Sequence, residues 1–222
     1  FIFFFDRAYD EGFIFGKNVT PVILFPPARH PILWYTWFEW AIPKALKKYK
    51  ADIFLSPDNY LSLSTDVKSV LICHDLAHIH FPNEIPRLTK FYYNYFVPRY
   101  LKKADRIIAV SAFTKQDILK QYQISEHKIE IAYNGCSKEF RPTKVENKRV
   151  IKSKYAEGKD YFFYLGSIHP RKNIENLVLA FDLFKKQTNS AMKLLLGGRI
   201  AWKSESIKTA FENAEYKSDI EL

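Results

Sequence analysis

The sequence predicts a parallel α/β protein arranged in two units. Three observations carry that prediction. Short apolar runs recur along the chain, most of them continuous rather than alternating, as strands covered on both faces require. Longer amphipathic stretches lie between them, so strand and helix alternate and the crossovers are expected to be right-handed. The rhythm breaks once, in "RPTKVENKRVIKSKYAEGKD" from Arg141 to Asp160, which is charged and poor in apolar residues. That break divides a larger unit, residues 1–142, from a second at 161–222. Residues 143–160 read as a linker with a short helix near Asn147–Tyr155.

Taken in order, strands are expected at Phe1–Phe5 and Val22–Phe25, and Arg29-His30 in "PPARHP" reads as a structured turn. A helix near 37–50 follows, then strands at Ile53–Leu55 and Val70–Cys73. Next come a helix over 87–103, a strand at Arg106–Val110, a helix over 112–122 and a strand at Lys128–Ile131. The second unit opens on the strand Tyr161–Leu165, expected to be buried, and continues with a helix over 173–187. In that helix Ile174, Leu177, Val178, Phe181 and Phe184 recur at helical spacing, with Lys185 and Lys186 toward its negative end. A strand at Lys193–Leu196 and a helix near 203–214 complete it. Two strands do not close an α/β core, so a continuation past Leu222 is expected. The start in mid-strand, without an initiator Met, implies the same before Phe1.

Composition narrows the function. Hydrophobic residues make up 47% and charged residues 26%, which excludes wholesale disorder. Cys73 and Cys136 form no C-x-x-C pair, so a reduced, cytoplasmic setting is the simpler reading. No apolar run reaches the roughly 18 residues of a spanning helix. The opening "FIFFFD" lacks the basic flank and cleavage site of a signal peptide. The net charge of +10 is shared equally by residues 1–142 and 143–222 and suits anionic partners. With 19 Phe and 14 Tyr the chain could stack and grip nucleic acid, so a basic nucleic-acid-binding α/β domain without catalysis is the rival reading. Against it, the charge is dispersed and no DNA- or RNA-binding signature is present.

Two short stretches carry chemistry. In "YFFYLGSIHPRKNIENL" a strand ends at Leu165, Gly166 follows at the turn, and Arg171-Lys172 precede a helix expected to begin near Asn173. A helix N-terminus attracts phosphate, and a glycine lets backbone approach a ligand. An exposed basic turn capping the helix accounts for the same residues. "CHDLAHIHFP", residues 73–82, has nearly the outline of the H-E-x-x-H zinc signature. That signature needs both histidines one turn apart on a helix. Here His74 follows a strand directly, and Pro82 stops any helix within about two turns. No metal site is expected. His74 is the functional candidate, Asp75 its loop-orienting neighbour, and His78 and His80 local structure or acceptor-side lining.

Two aromatic-basic stretches, residues 34–50 and 90–103, suit either a core or an anionic membrane surface. Pro43 and Pro98 are expected to interrupt both helices, which favours the core.

"YFFYLGSIHPRKNIENLVLAF" resembles the start of the donor-binding domain of retaining GT-B glycosyltransferases, the group that includes bacterial mannosyltransferases. "VLICHDLAHIHFPNEIP", "ADRIIAVSAFTKQDI", "KIEIAYNGCSKEFRP" and "LLLGGRIAW" resemble further segments of that group in the same order. The likeness runs from about residue 50 to the end. It implies two Rossmann-like domains with parallel sheets facing across a cleft, both incomplete here, with an acceptor-side domain over 1–142 and a donor domain from 161. Gly166, Arg171 and Lys172 would hold the donor diphosphate. His74 would reach the donor sugar, with Asp75, Ser111, Asn134 and Gly135 on the sugar or acceptor side. No metal or other cofactor is implied, and the chain has no Asp-x-Asp. Many relatives carry arginine where Ser167 stands and an acidic residue at His169. The group's paired glutamates would follow Leu222 and its glycine-rich loop would precede Phe1, so activity is expected of the parent enzyme. The implied reaction moves a hexosyl group, mannosyl favoured and GDP-mannose the first donor, to a glycan or lipid-linked acceptor with retention. The implied setting is cell-surface polysaccharide synthesis at the cytoplasmic face of the inner membrane, without nucleic acid.

Overall fold

The computed structural model describes residues 1–199 and 205–222. The chain forms two compact units, Phe1–Gly135 and Cys136–Leu222. In the first, β1 (Ile2–Phe5) and β2 (Thr20–Ile23) pair in parallel as a sheet of their own. Four further strands form a second parallel sheet in the order β3 (Ile53–Ser56), β4 (Lys68–Cys73), β5 (Arg106–Ala109), β6 (Ile129–Ile131). Cys73 pairs with Ala109 and Ala109 with Ile131, so their carboxyl ends lie level. Leu71, Cys73, Ile107, Ala109 and Ile129 turn inward and pack with Tyr100, Leu101 and Ile118 in one core. Each such aliphatic side chain contributes about 2 kcal/mol on burial.

The helices depart from expectation at their proline positions. The first begins at Pro31, earlier than residue 37, because Ile32 N–H bonds the His30 ring and proline suits a first helical turn. Thus α1 (Pro31–Thr36) runs into a π-helical turn, Trp37–Ala41, and then α2 (Ile42–Lys48). Pro43 falls in the first turn of α2, directly behind the widened turn, and does not break the run. A short α3 (Ala77–His80) precedes α4 (Arg87–Lys103), which continues through Pro98. The expected interruptions are therefore absent. One face of α4 is buried through Tyr92, Val97, Tyr100 and Leu101, while Leu88, Phe91 and Tyr95 lie exposed on the other. Helix α5 (Ala112–Gln121) is capped by Ser111, whose Oγ accepts from the Thr114 N–H at 3.0 Å.

In the second unit the stretch read as a linker is mostly α6 (Val145–Ala156), and Ala156 is buried. The sheet has three parallel strands, β7 (Tyr161–Leu165), β8 (Lys193–Gly197) and β9 (Ile220–Glu221), with β8 central. The third strand was not expected from the sequence: two residues carry no apolar run. β7 forms the opposite edge of this sheet, and Phe163 and Leu165 are exposed, which corrects the expectation that β7 is buried. Helix α7 (Ile174–Thr188) buries Ile174, Val178 and Phe181. Helix α8 (Glu205–Asn213) matches the expected last helix; its expected first residues, Lys203 and Ser204, lie outside the described residues, as do Ile200–Trp202 of "LLLGGRIAW".

Lysine is an unexpected part of this core. Lys193 begins β8 with its stem buried, and its ammonium reaches the solvent-facing Glu157 at 2.6 Å and Glu221 at 3.1 Å. The Glu157 carboxylate, and then Glu221, raise the Lys193 pKa against the cost of burial. Lys185 is buried too, 2.7 Å from Asp219 and bonded to the Met192 carbonyl at 3.1 Å. Both clamps fasten the segment carrying β9.

Candidate active site

The candidate residues of the first unit stand in a row at the carboxyl edge of its main sheet, where open parallel sheets bind ligands. His74 and Asp75 follow β4, Ser111 follows β5, and Asn134 and Gly135 follow β6. His74 is exposed yet held on three sides. Its N–H donates to Asn59 Oδ1 at 2.9 Å, its carbonyl accepts from Thr114 Oγ1 at 3.2 Å, and its Nε2 lies 2.9 Å from the Pro57 carbonyl. Asp75 Oδ1 accepts from the Ala77 N–H at 2.9 Å, closing the turn into α3. Ser111 Oγ is engaged in its helix cap and lies 2.9 Å from Thr114 Oγ1. An added Cβ at Gly135 would meet open space, so local packing does not require glycine there.

The other two histidines of the motif go elsewhere. His78 is buried, its Nε2 3.2 Å from the Tyr122 hydroxyl, and burial holds its pKa below the usual 6.5. His80 Nε2 donates to Asp117 Oδ2 at 2.6 Å. Cys73, beneath them, has its thiol pushed up to about 12, chiefly by burial. The three imidazoles thus serve three different partners. Among the described residues, no three His, Cys, Asp or Glu side chains gather as a metal-binding group.

In the second unit Gly166 and Gly198 bring the ends of β7 and β8 into direct contact. Gly166 N–H donates to the Gly197 carbonyl at 2.9 Å. A Cβ at Gly198 would stand 1.8 Å from the Gly166 carbonyl oxygen, and one at Gly166 would stand 2.9 Å from the Tyr164 hydroxyl. Beyond Gly166, Ile168 and Ile174 are both buried and bracket a loop. Within it Pro170–Lys172 forms a separate 3₁₀ turn, and Asn173 at φ 56° stands between it and α7. The basic pair therefore lies on its own turn, a step before the helix. His169, given no role from sequence, caps that turn: its Nδ1 accepts from the Arg171 N–H at 3.2 Å. Glu175 occupies the first turn of α7, where its charge already complements the positive helix end.

Sequence reasoning missed Pro57, Asn59 and Thr114. The signal was present in "SPDNY", a turn-forming run directly after a short strand, but its level with His74 emerges only from strand pairing.

Compared with known proteins, the chain has the α/β, parallel-sheet architecture of GT-B glycosyltransferases. A glycosyltransferase from Rickettsia africae matches with a TM-score of 0.65 at 18% identity, over 99% of this chain and 58% of that one. Anabaena Alr3699/HepE, in complex with UDP and glucose, matches with a TM-score of 0.62 at 12% identity, over 99% and 60%. Residues 3–140 fit the model of Glycosyltransferase Family 4, and the chain belongs to that family. O-antigen chain mannosyltransferase B of Escherichia coli is 26% identical over 162 residues, 72% of this chain. The chain spans only 42% of the length of that relative.

Proposed function

We propose that the chain is part of a retaining glycosyltransferase that moves a hexosyl group, mannosyl first, from a nucleoside diphosphate sugar to a glycan or lipid-linked acceptor of cell-surface polysaccharide synthesis. The observation that carries this reading is the His74–Asp75 turn, held at a sheet's carboxyl edge inside the family-matched residues. The similar O-antigen mannosyltransferase favours mannose, with GDP-mannose as first donor. The bond from the anomeric carbon to the diphosphate breaks with its electron pair leaving on the diphosphate, and the acceptor oxygen bonds the same face of that carbon as its proton passes to the departing diphosphate. Charge accumulates on the departing group, and fixed cations stabilise it best. Arg171 and Lys172 are the cations we assign to it, with Gly166 giving the backbone close approach and no metal needed. His74 hydrogen-bonds the sugar and stabilises its developing positive charge.

The reading includes a peripheral contact with the cytoplasmic face of an anionic membrane. No described helix is long and apolar enough to cross one. However, Leu88, Phe91 and Tyr95 of α4 and Ile32, Tyr35 and Trp40 near α1 are exposed. Arg99 lies over the Tyr95 ring at 3.6 Å, and neither helical stretch exposes a carboxylate, since Glu39 is buried. Aromatic and basic side chains without acids suit a surface of anionic lipid. Trp40→Ser with Phe91→Ser should abolish sedimentation with phosphatidylglycerol vesicles; sedimentation equal to the parent would refute the contact.

Thermal shift of the full-length protein against GDP-, UDP- and ADP-sugars tests the function. A shift with GDP-mannose is expected, followed by a product whose anomeric configuration, read by NMR, matches the donor. No shift with any nucleotide sugar would overturn the reading, and an inverted product would overturn retention.

A further inference from the structure

The turn after β3 holds a side chain whose longer-range bonds all lead to His74 and Asp75. Asn59 Oδ1 accepts from the His74 N–H at 2.9 Å, and its Nδ2 donates to the Asp75 carbonyl at 2.8 Å. A backbone N–H only donates and a carbonyl only accepts, so these bonds fix which end of the carboxamide is which. Two residues earlier the Pro57 carbonyl meets His74 Nε2 at 2.9 Å. Because that carbonyl can only accept, Nε2 carries the proton and Nδ1 is the nitrogen left to meet a ligand. The turn between them is closed locally: Asn59 N–H donates to Asp58 Oδ1 at 2.8 Å, and Ser56 Oγ to the Asp58 carbonyl at 3.4 Å. The Pro57 carbonyl and the Asn59 side chain thus meet His74 from one short, locally closed turn level with the end of β4.

We propose that Asn59 is a positioning residue for His74, fixing the tautomer of its ring and the direction in which Nδ1 is presented. The proposal rests on the reading of His74 as the residue that meets the sugar. In this tautomer neutral His74 offers an acceptor, so the group it recognises is a hydroxyl donor. A turn-forming asparagine bonds its near neighbours; this one spans 15 and 16 residues to the next strand's end. Orientation of this kind sets rate rather than affinity when the held group acts mainly in the transition state.

Two measurements on the full-length protein test it. In ¹⁵N NMR of labelled histidine, His74 should show Nε2–H alone, and Asn59→Ala should convert this to a mixture of tautomers. An unchanged His74 signal in Asn59→Ala, or Nδ1–H in the parent, overturns the proposal. Asn59→Asp keeps the acceptor for the His74 N–H and loses the donor to Asp75, and it serves in the same test if Asn59→Ala does not fold. In the second measurement, GDP release from GDP-mannose, Asn59→Ala should lower kcat about 10-fold with KM little changed. The same change in a His74→Ala background should add nothing, because one residue acts through the other. Full additivity of the two losses overturns positioning. If His74→Ala leaves GDP release intact, the reading of His74 fails by itself, while the NMR result still decides what Asn59 does.

Discussion

The two carboxyl sheet edges that carry the candidate residues are held by different means. At the end of β4, side chains do the holding: Asn59 and Thr114 come from distant parts of the chain and grip the backbone of His74. At the ends of β7 and β8, backbone meets backbone: the Gly166 N–H bonds the Gly197 carbonyl, and a side chain at Gly198 would strike the Gly166 carbonyl. The first arrangement fixes an imidazole and tolerates adjustment one bond at a time. The second presents bare peptide groups and has no room for a side chain at Gly198. The proposed roles, an aimed imidazole at the first edge and close backbone approach to a diphosphate at the second, would call for these two arrangements respectively.

The sharpest way to break the comparison is Gly198→Ala. Its φ of +154° and the 1.8 Å approach to the Gly166 carbonyl should cost about 3 kcal/mol, read as a large fall in melting temperature. A neutral outcome would mean that the two turns are not in contact. Next in size is Arg171→Ala, which should reduce kcat for GDP-mannose turnover about 10²-fold with melting unchanged, and Arg171→Lys should restore part of it. Equal loss in both variants would point to a role other than charge. Ser111→Ala should lower stability by about 1 kcal/mol through loss of the α5 cap. Ser111→Asp keeps a cap; if it melts like the parent yet loses turnover, Ser111 has a role at the sugar as well.

The smallest effect concerns pH. Burial, opposed in part by Asp75 and Asp117 and aided by His80, holds the folded pKa of His78 below 6.5. As pH falls the unfolded chain takes the proton first. Stability is therefore independent of this group above that value and declines below it, until the folded imidazole also protonates. Urea titrations from pH 8 to 5 should show this slope, and His78→Gln should flatten it.

Much of this architecture was legible in the sequence. The strand Tyr161–Leu165 and the helix 87–103 were read with their observed bounds, because an unbroken apolar run and a helical period are local signals. Other features depend on partners remote in the chain. β9 pairs with β8 through two residues, and Glu221 and the preceding Asp219 meet buried lysines, which apolar patterning treats as surface. The start of α1 was missed because an imidazole is an uncommon cap. His74 and Asp75 follow the end of β4, where the apolar run ending at Cys73 predicts them. Asn59 was invisible because sequence spacing does not reveal which loops lie level. Gly166 was noticed, but its counterpart Gly198 gained meaning only when strand pairing set the two side by side.

The ring cluster beside this turn has an optical consequence. Trp34 lies 5.4 Å from Tyr60 and from Tyr92, and it stacks on Tyr93 at 6.0 Å. Tyr60 is the residue after Asn59, so any drift of the loop bonded to His74 also moves a ring against this indole. In a variant that keeps Trp34 as its one tryptophan, the indole emission should therefore report how Tyr60, and with it the loop, packs against this ring.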